Sequence, residues 1–142
     1  MRTSKKGIDL IKKYEGCSLK GYKCPAGIAT IGYGHTGGVT VGIIITQADA
    51  DNLLVSDLRH FELLLSGLKL PLNQNQFDAC ISFCFNCGFG AFKESSLFKA
   101  IKSKADNSTI THCFSLWNKG GGKILSGLVS RRKSEAELYC EL

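Results

Sequence analysis

The chain has no run of apolar residues approaching the roughly 20 that a membrane-crossing helix needs, which argues against membrane insertion. Its first residues, Met1 to Glu15, are charged and amphipathic, without the unbroken apolar segment of a secretory signal. A cytosolic, soluble product is therefore expected, one that needs help to reach a target beyond the inner membrane. Proline occurs only twice, at Pro25 and Pro71. No internal repeat or low-complexity linker divides the chain. There is no Arg-rich recognition helix and no basic run interleaved with aromatics. The basic residues are scattered, as in Lys5-Lys6, Lys12-Lys13 and Arg131-Arg132-Lys133. Nucleic-acid binding is thus supported by charge alone.

The 142 residues fit one compact domain, 1–142, long enough to bury a core without metals or disulfides as staples. A hydrophobic fraction of 44% and a charged fraction of 21% are ordinary for a globular protein. The net charge of +6 suits a polyanionic partner: nucleic acid, an acidic membrane surface or an acidic cell wall. The 7 cysteines are odd in number, so at least one has no partner within the chain. Without a signal segment, reduced thiols are expected.

Residues up to about 45 are rich in Gly and Thr; helical patterns follow. Ser4 reads as the N-cap of a helix carrying Ile8, Ile11 and Tyr14 on one face and ending near Gly16. Gly27 to Gly42, dense in glycine and β-branched residues, reads as short strands with tight turns. Thr46, with Asp49 three residues on, caps a long helix whose stripe is Leu53, Leu54, Leu58, Phe61, Leu64 and Leu65. Asn73 with Gln76 opens another, expected to stop at Gly88 and to bury Phe77, Cys80, Ile81, Cys84 and Phe85. Further helices are expected over 95–104, over 108–118 and up to Tyr139, with Gly120 to Gly122 as a loop. The sum is an α+β chain: a small β-containing lobe, then a larger helical one, with a cleft between them as the natural binding site.

Cys84 and Cys87 form a C-x-x-C, but late in a helix rather than at the N-terminus that activates redox pairs. Cys80, Cys84 and Cys87 share one helical face, as core residues do, and no second close Cys or His pair completes a zinc spacing. Taken singly, Glu15 reads as a surface glutamate, Cys24 before Pro25 as a small buried hydrophobe, and Thr30 as an ordinary strand residue.

Their order carries more. Glu15, eight residues, Cys24, five residues and Thr30 lead into Ile31-Gly32-Tyr33-Gly34-His35. With P-L-N-Q-N-Q-F-D-A at Pro71 to Ala79, F-N-C-G-F-G-A-F at Phe85 to Phe92, and W-N-K-G-G-G and G-L-V-S-R-R later, the chain resembles the phage-type lysozymes (endolysins) of glycoside hydrolase family 24. That family places a glutamate, an aspartate or cysteine, and a threonine at this spacing. The resemblance implies a lysozyme-like fold and hydrolysis of the β-1,4 bond between N-acetylmuramic acid and N-acetylglucosamine in peptidoglycan. It implies no metal and no cofactor. Glu15 would protonate the glycosidic oxygen from a partly apolar setting that keeps its proton near neutral pH. Cys24, where a carboxylate is commoner, would act partly as thiolate beside the oxocarbenium-like centre. Thr30 would hold water or orient the sugar.

The same resemblance brings Phe85, Asn86 and Ser96 to the cleft as substrate-binding residues. Asn86 would hydrogen-bond an N-acetyl group and Phe85 pack on a sugar ring, with a plain core position as the alternative for Phe85. Trp117 reads as a core anchor, and His35 as a structural support for the glutamate and strand region. Arg131 or Arg132 would pair with Glu15, and at least one of them would lie on a solvated face. A monomer acting after a separate holin opens the host membrane is expected, moving from host cytoplasm to periplasm. The other readings are a wall-binding module without catalysis and a lytic transglycosylase on the same bond.

Overall fold

The computed structural model describes residues 1–142. Helix α1 (Lys5–Glu15) leads into a three-stranded antiparallel sheet of β1 (Ser18–Lys23), β2 (Ala29–Gly32) and β3 (His35–Thr36), in the order β1-β2-β3. The long α2 (Gln47–Gly67) follows, then α3 (Gln74–Cys87), α4 (Phe89–Glu94), α5 (Ser96–Lys102) and α6 (Asn107–Ser115). A two-stranded hairpin, β4 (Lys119–Gly120) and β5 (Lys123–Ile124), precedes α7 (Ser126–Cys140). The fold is α+β, with a small sheet lobe and a larger helical lobe.

The β1–β2 connection shows how local chemistry sets this geometry. Cys24 N–H donates to Ile28 O, and Gly27 N–H donates to Cys24 O, leaving a three-residue loop of Pro25, Ala26 and Gly27. Pro25 has the fixed φ such a turn wants, and Gly27, at φ 80°, takes the left-handed position that closes it. The expectation of strands in 27–42 holds for β2 and β3. Strand β1 lies outside that range; Ser18–Lys23 alternates weakly and leaves only Gly21 buried, so its pattern carries little strand signal.

Thr46 with Asp49 and Asn73 with Gln76 form reciprocal capping boxes at the starts of α2 and α3. Ser4 does occupy the N-cap of α1, but its side chain caps nothing. Its hydroxyl and its N–H both donate to the Asp78 carboxylate instead. That buried carboxylate stands at the positive end of α1, where it complements the helix dipole. Glu62, also buried, accepts from Arg2 Nε, Thr3 N and Thr3 Oγ1 at 2.7–2.9 Å. Two carboxylates of the helical lobe thus fix the beginning of the helix that ends in Glu15.

Helix α3 is the axis of the molecule. Phe77 to Cys84 are all buried, not one face of them, because α1, α2, α4 and α7 pack around it. Phe83 meets Phe92, Phe114 and Trp117 edge-on, with ring centroids 5.4–6.0 Å apart. Trp117 therefore anchors the core, as the sequence suggested. Three smaller expectations need correction. Residues 95–104 form a helix only to Lys102, after a separate short helix, α4. Helix α6 stops at Ser115, short of 118. Gly120 to Gly122 turn a short hairpin rather than an open loop, since Lys119 pairs with Ile124 and Gly120 with Lys123.

Candidate active site

Glu15 is the last residue of α1 and points between the lobes. It lines a cavity of about 470 Å³ with Tyr33, Gly34 and Thr36 of the sheet lobe, Ser56, Asp57, His60 and Phe61 of α2, and Phe85 of α3. It also lines a second cavity of about 340 Å³, with Tyr14, Asn86, Leu125, Gly127, Leu128 and Arg131. Glu15 is the only residue common to both.

Its carboxylate is one-fifth exposed, and Oε2 accepts from Arg131 Nη1 at 2.6 Å. The expected apolar setting is thus not met on that side. Oε1 has no hydrogen-bond partner and faces the β2–β3 turn, where a Cβ on Gly34 would lie 3.9 Å away. Arg131 is itself buried. It donates from Nη2 to Ser82 O at 3.1 Å and Oγ at 3.3 Å, and from Nε to Glu135 Oε2 at 3.3 Å. Ser82 Oγ donates to the same Glu135 oxygen at 2.5 Å. Burial raises the Glu135 pKa, with Arg132, Ser82 and Arg131 opposing that push. Tyr14, one residue before Glu15, ties α1 to α7 through its hydroxyl on Ser130 and Ser134.

Thr30 and Thr36 are direct partners across β2 and β3. Side chains so paired point to one face of a sheet, so Thr30 lies on the face that Thr36 turns to the larger cavity. Thr30 is nevertheless buried, and its hydroxyl donates to Ile28 O at 2.9 Å. Tyr22 opposes Thr30 across β1 and β2, and Cys24 lies two residues on, just past the end of β1. The Cys24 thiol has its pKa below the ordinary value, chiefly through a hydrogen bond from the Ile28 backbone, with the Ala26 backbone adding to it against desolvation. Neither Cys24 nor Thr30 lines either cavity wall.

Phe85 lines the larger cavity and meets Phe61 edge-on at 5.9 Å, so it is both a wall and a core-packed ring. Asn86 lines the smaller one. Ser96 is exposed at the start of α5 and lines neither; the buried serine there is Ser95, which caps α5. His35 Nδ1 meets both Asp57 carboxylate oxygens at 2.8–2.9 Å, pinning β3 to α2 rather than touching Glu15. His60 lines the larger cavity with Ser56 and Asp57. Only a cleft crossing α2 reveals these residues; the sequence carries no signal for them.

One expectation about the arginines is overturned. Arg131 does pair with Glu15, but neither arginine is solvated, at 3% and 1% exposed. Both turn inward because Glu135, four and three residues further along the same helix, supplies a buried counter-charge. The cysteine stripe also needs qualification. Cys80 and Cys84 are core, but Cys87 is half-buried, with its sulfur against Arg132 Nη1. All seven cysteines carry free thiols.

Residues 12–135 match the phage lysozyme family model. The chain belongs to the phage lysozyme family. It is 42% identical to an endolysin of Acyrthosiphon pisum secondary endosymbiont phage 1, over 98% of each chain. It superposes on a point mutant of P22 lysozyme with a TM-score of 0.89 and 38% identity, over 99% of both chains. The muramidase domain of SpmX from Asticaccaulis excentricus gives a TM-score of 0.91 and 35% identity, again over 99% of both.

Proposed function

We propose that this chain is an endolysin that hydrolyses the β-1,4 bond between N-acetylmuramic acid and N-acetylglucosamine in bacterial peptidoglycan and thereby lyses a host cell. The observation that carries this reading is the position of Glu15 as the one residue shared by the two cavities. A glycan lying through both would present a glycosidic bond to that carboxyl.

In this reading Glu15 enters as the acid. Arg131 occupies Oε2, so Oε1 is the oxygen free to carry the proton and hand it to the leaving oxygen. The anomeric carbon becomes cation-like as that bond breaks. Cys24, partly as thiolate, stands beside the developing charge, its ionisation favoured by the Ile28 backbone. The Thr30 proton is committed to Ile28 O, which leaves the hydroxyl lone pairs to accept from a water molecule. That water adds its oxygen to the anomeric carbon and releases one proton to solvent, while the leaving oxygen keeps the proton from Glu15; Glu15 is reprotonated from solvent, so the step consumes one water and no net proton. Phe85 and Asn86 hold the sugars on either side of Glu15.

The positive charge draws the protein to an acidic wall. No helix is long and apolar enough to cross a membrane. Passage of a monomer from host cytoplasm to periplasm through a membrane opened by a separate holin belongs to the proposal, and lysis of cells expressing the chain with and without a holin tests it. The chemistry is tested by incubating the protein and Glu15→Gln with purified Gram-negative peptidoglycan and identifying the released sugars by mass spectrometry. Muramic-acid reducing ends from the native chain alone are expected. Anhydromuramic ends would replace hydrolysis by transglycosylation, and binding without release would leave a wall-binding module.

A further inference from the structure

Asn86 is held in one orientation by groups that face away from the cleft. Its Oδ1 accepts from Arg132 Nη2 at 2.9 Å and faces the Cys87 thiol at 3.7 Å. A guanidinium only donates. Turning the amide over would set its NH2 group against Arg132, donor against donor, so the side chain has one stable orientation. Its Nδ2 has no partner in the protein and belongs to a residue lining the smaller cavity beside Glu15. Arg132 is in turn fixed by Glu135, which Nη2 reaches at 3.1 Å and Nε at 2.7 Å, the latter an ion pair outside hydrogen-bond alignment. The Phe83 ring lies 5.0 Å beneath the guanidinium. The same Glu135 carboxylate also holds Arg131, the partner of Glu15.

We propose that Arg132, anchored on Glu135, is a positioning residue that fixes Asn86 as a pure hydrogen-bond donor toward the cleft, selecting a substrate acceptor such as an acetamido carbonyl beside the scissile bond. This rests on the cleft being the glycan site. Glu135 then sets two things at once from inside the helical lobe: the acid through Arg131, and the donor face of the sugar subsite through Arg132. Burial makes this arrangement stiff. Both guanidiniums have almost no water contact, Glu135 is the carboxylate paired with both, and it is the only one paired with Arg132; unpaired buried charges are strongly disfavoured.

The test is a double-mutant cycle on kcat and KM with uncross-linked peptidoglycan glycan strands, with melting temperatures taken alongside. Asn86→Ala and Arg132→Met should each raise KM about tenfold, the scale of one hydrogen bond to substrate, and more than they lower kcat. The double variant should also sit near tenfold, because Arg132 acts through Asn86; a product near a hundredfold would mean independent effects and overturn the proposal. Should Arg132→Met fail to fold, Asn86→Asp replaces the donor by an acceptor while pairing with Arg132. Unchanged KM in that variant overturns the proposal. Glu135→Gln should move both parameters, and an effect on melting temperature alone would count against it. If the native chain binds the strands without cutting them, hydrolysis is lost as a reading, and the same cycle is read in Kd. If it neither binds nor cuts them, both fall.

Discussion

Among individual residues, the site places its most demanding group under the tightest control. Glu15 is held by Arg131, Arg131 by Ser82 and Glu135, and Tyr14 fastens the same turn of α1 to α7. Replacing Glu15 by glutamine should lower turnover by about 10²–10⁴, the usual worth of a general acid. Cys24 makes a different prediction. Its thiol ionises below the ordinary value of 9.0, so the thiolate fraction rises with pH through a midpoint under that value. Activity that depends on the thiolate should climb along the same limb. Cys24→Ser, which has no ionisation there, should show weaker activity and lose the limb in a pH–rate profile. Wild-type activity in that variant would remove the thiolate from the mechanism. The pairing of Glu15 with one of two arginines was readable from the sequence. The choice of Arg131, and the burial of Arg132 against Asn86, was not, because two adjacent arginines on one helix differ only in what the neighbouring helices offer them.

Between elements, the ends of α1 and α2 decide where the cleft walls stand. The Thr46 hydroxyl satisfies the Asp49 N–H while the Asp49 carboxylate satisfies that of Thr46. Thr46→Ala should cost about 1 kcal/mol in urea unfolding. Gly7 tests the seat of α1 on α3. Alanine there would gain roughly 1 kcal/mol of helix propensity. Its Cβ would, however, lie 2.7 Å from Asp78 Cβ and Cγ and 2.8 Å from Thr3 Cγ2. Asp78 cannot swing aside, since Ser4 and Gln74 hold its carboxylate. Overpacking of this kind costs about 1–3 kcal/mol, so Gly7→Ala should be net destabilising in the same urea measurement. A stabilised variant would show that the α1–α3 contact yields easily.

Across the whole fold, the core keeps several acidic protons that the unfolded chain would release at high pH. Burial raises the Cys80 and Cys84 thiols well above the ordinary 9.0 and Tyr139 to about 12. Unfolded thiols ionise near 9.0 while the folded ones stay neutral, so the unfolded chain binds fewer protons above that point and stability falls as pH rises. Stability from these groups is complete below about pH 9, and the tyrosine's share is lost as pH rises from its ordinary 10.0 to about 12. Melting temperatures from pH 7 to 11 should therefore drop on the alkaline side, and less steeply in Cys84→Val. Equal slopes for the two proteins would deny the buried thiol this role. Phe83 shows the packing side of the same core: Phe83→Ala should cost about 3–5 kcal/mol by opening a cavity among Phe92, Phe114 and Trp117.

Residues read along the chain alone were enough for the helix starts at Thr46 and Asn73, the helix stops at Gly16 and Gly88, the lobe order and the family. These follow from near neighbours, through capping, turn chemistry and periodicity, or from a motif with a characteristic spacing. The same reading carried Glu15, Phe85 and Asn86 to the cleft. What those residues face depends on the packed chain. Asp78, Glu62 and Glu135 carry charges that ordinarily stay at the surface, yet each is buried because a distant or inward-turned donor meets it. Ser56, Asp57 and His60 become cleft wall because α2 passes beside the sheet. A buried charge is stable only when its partner arrives from elsewhere in the fold, and that is information no local pattern contains.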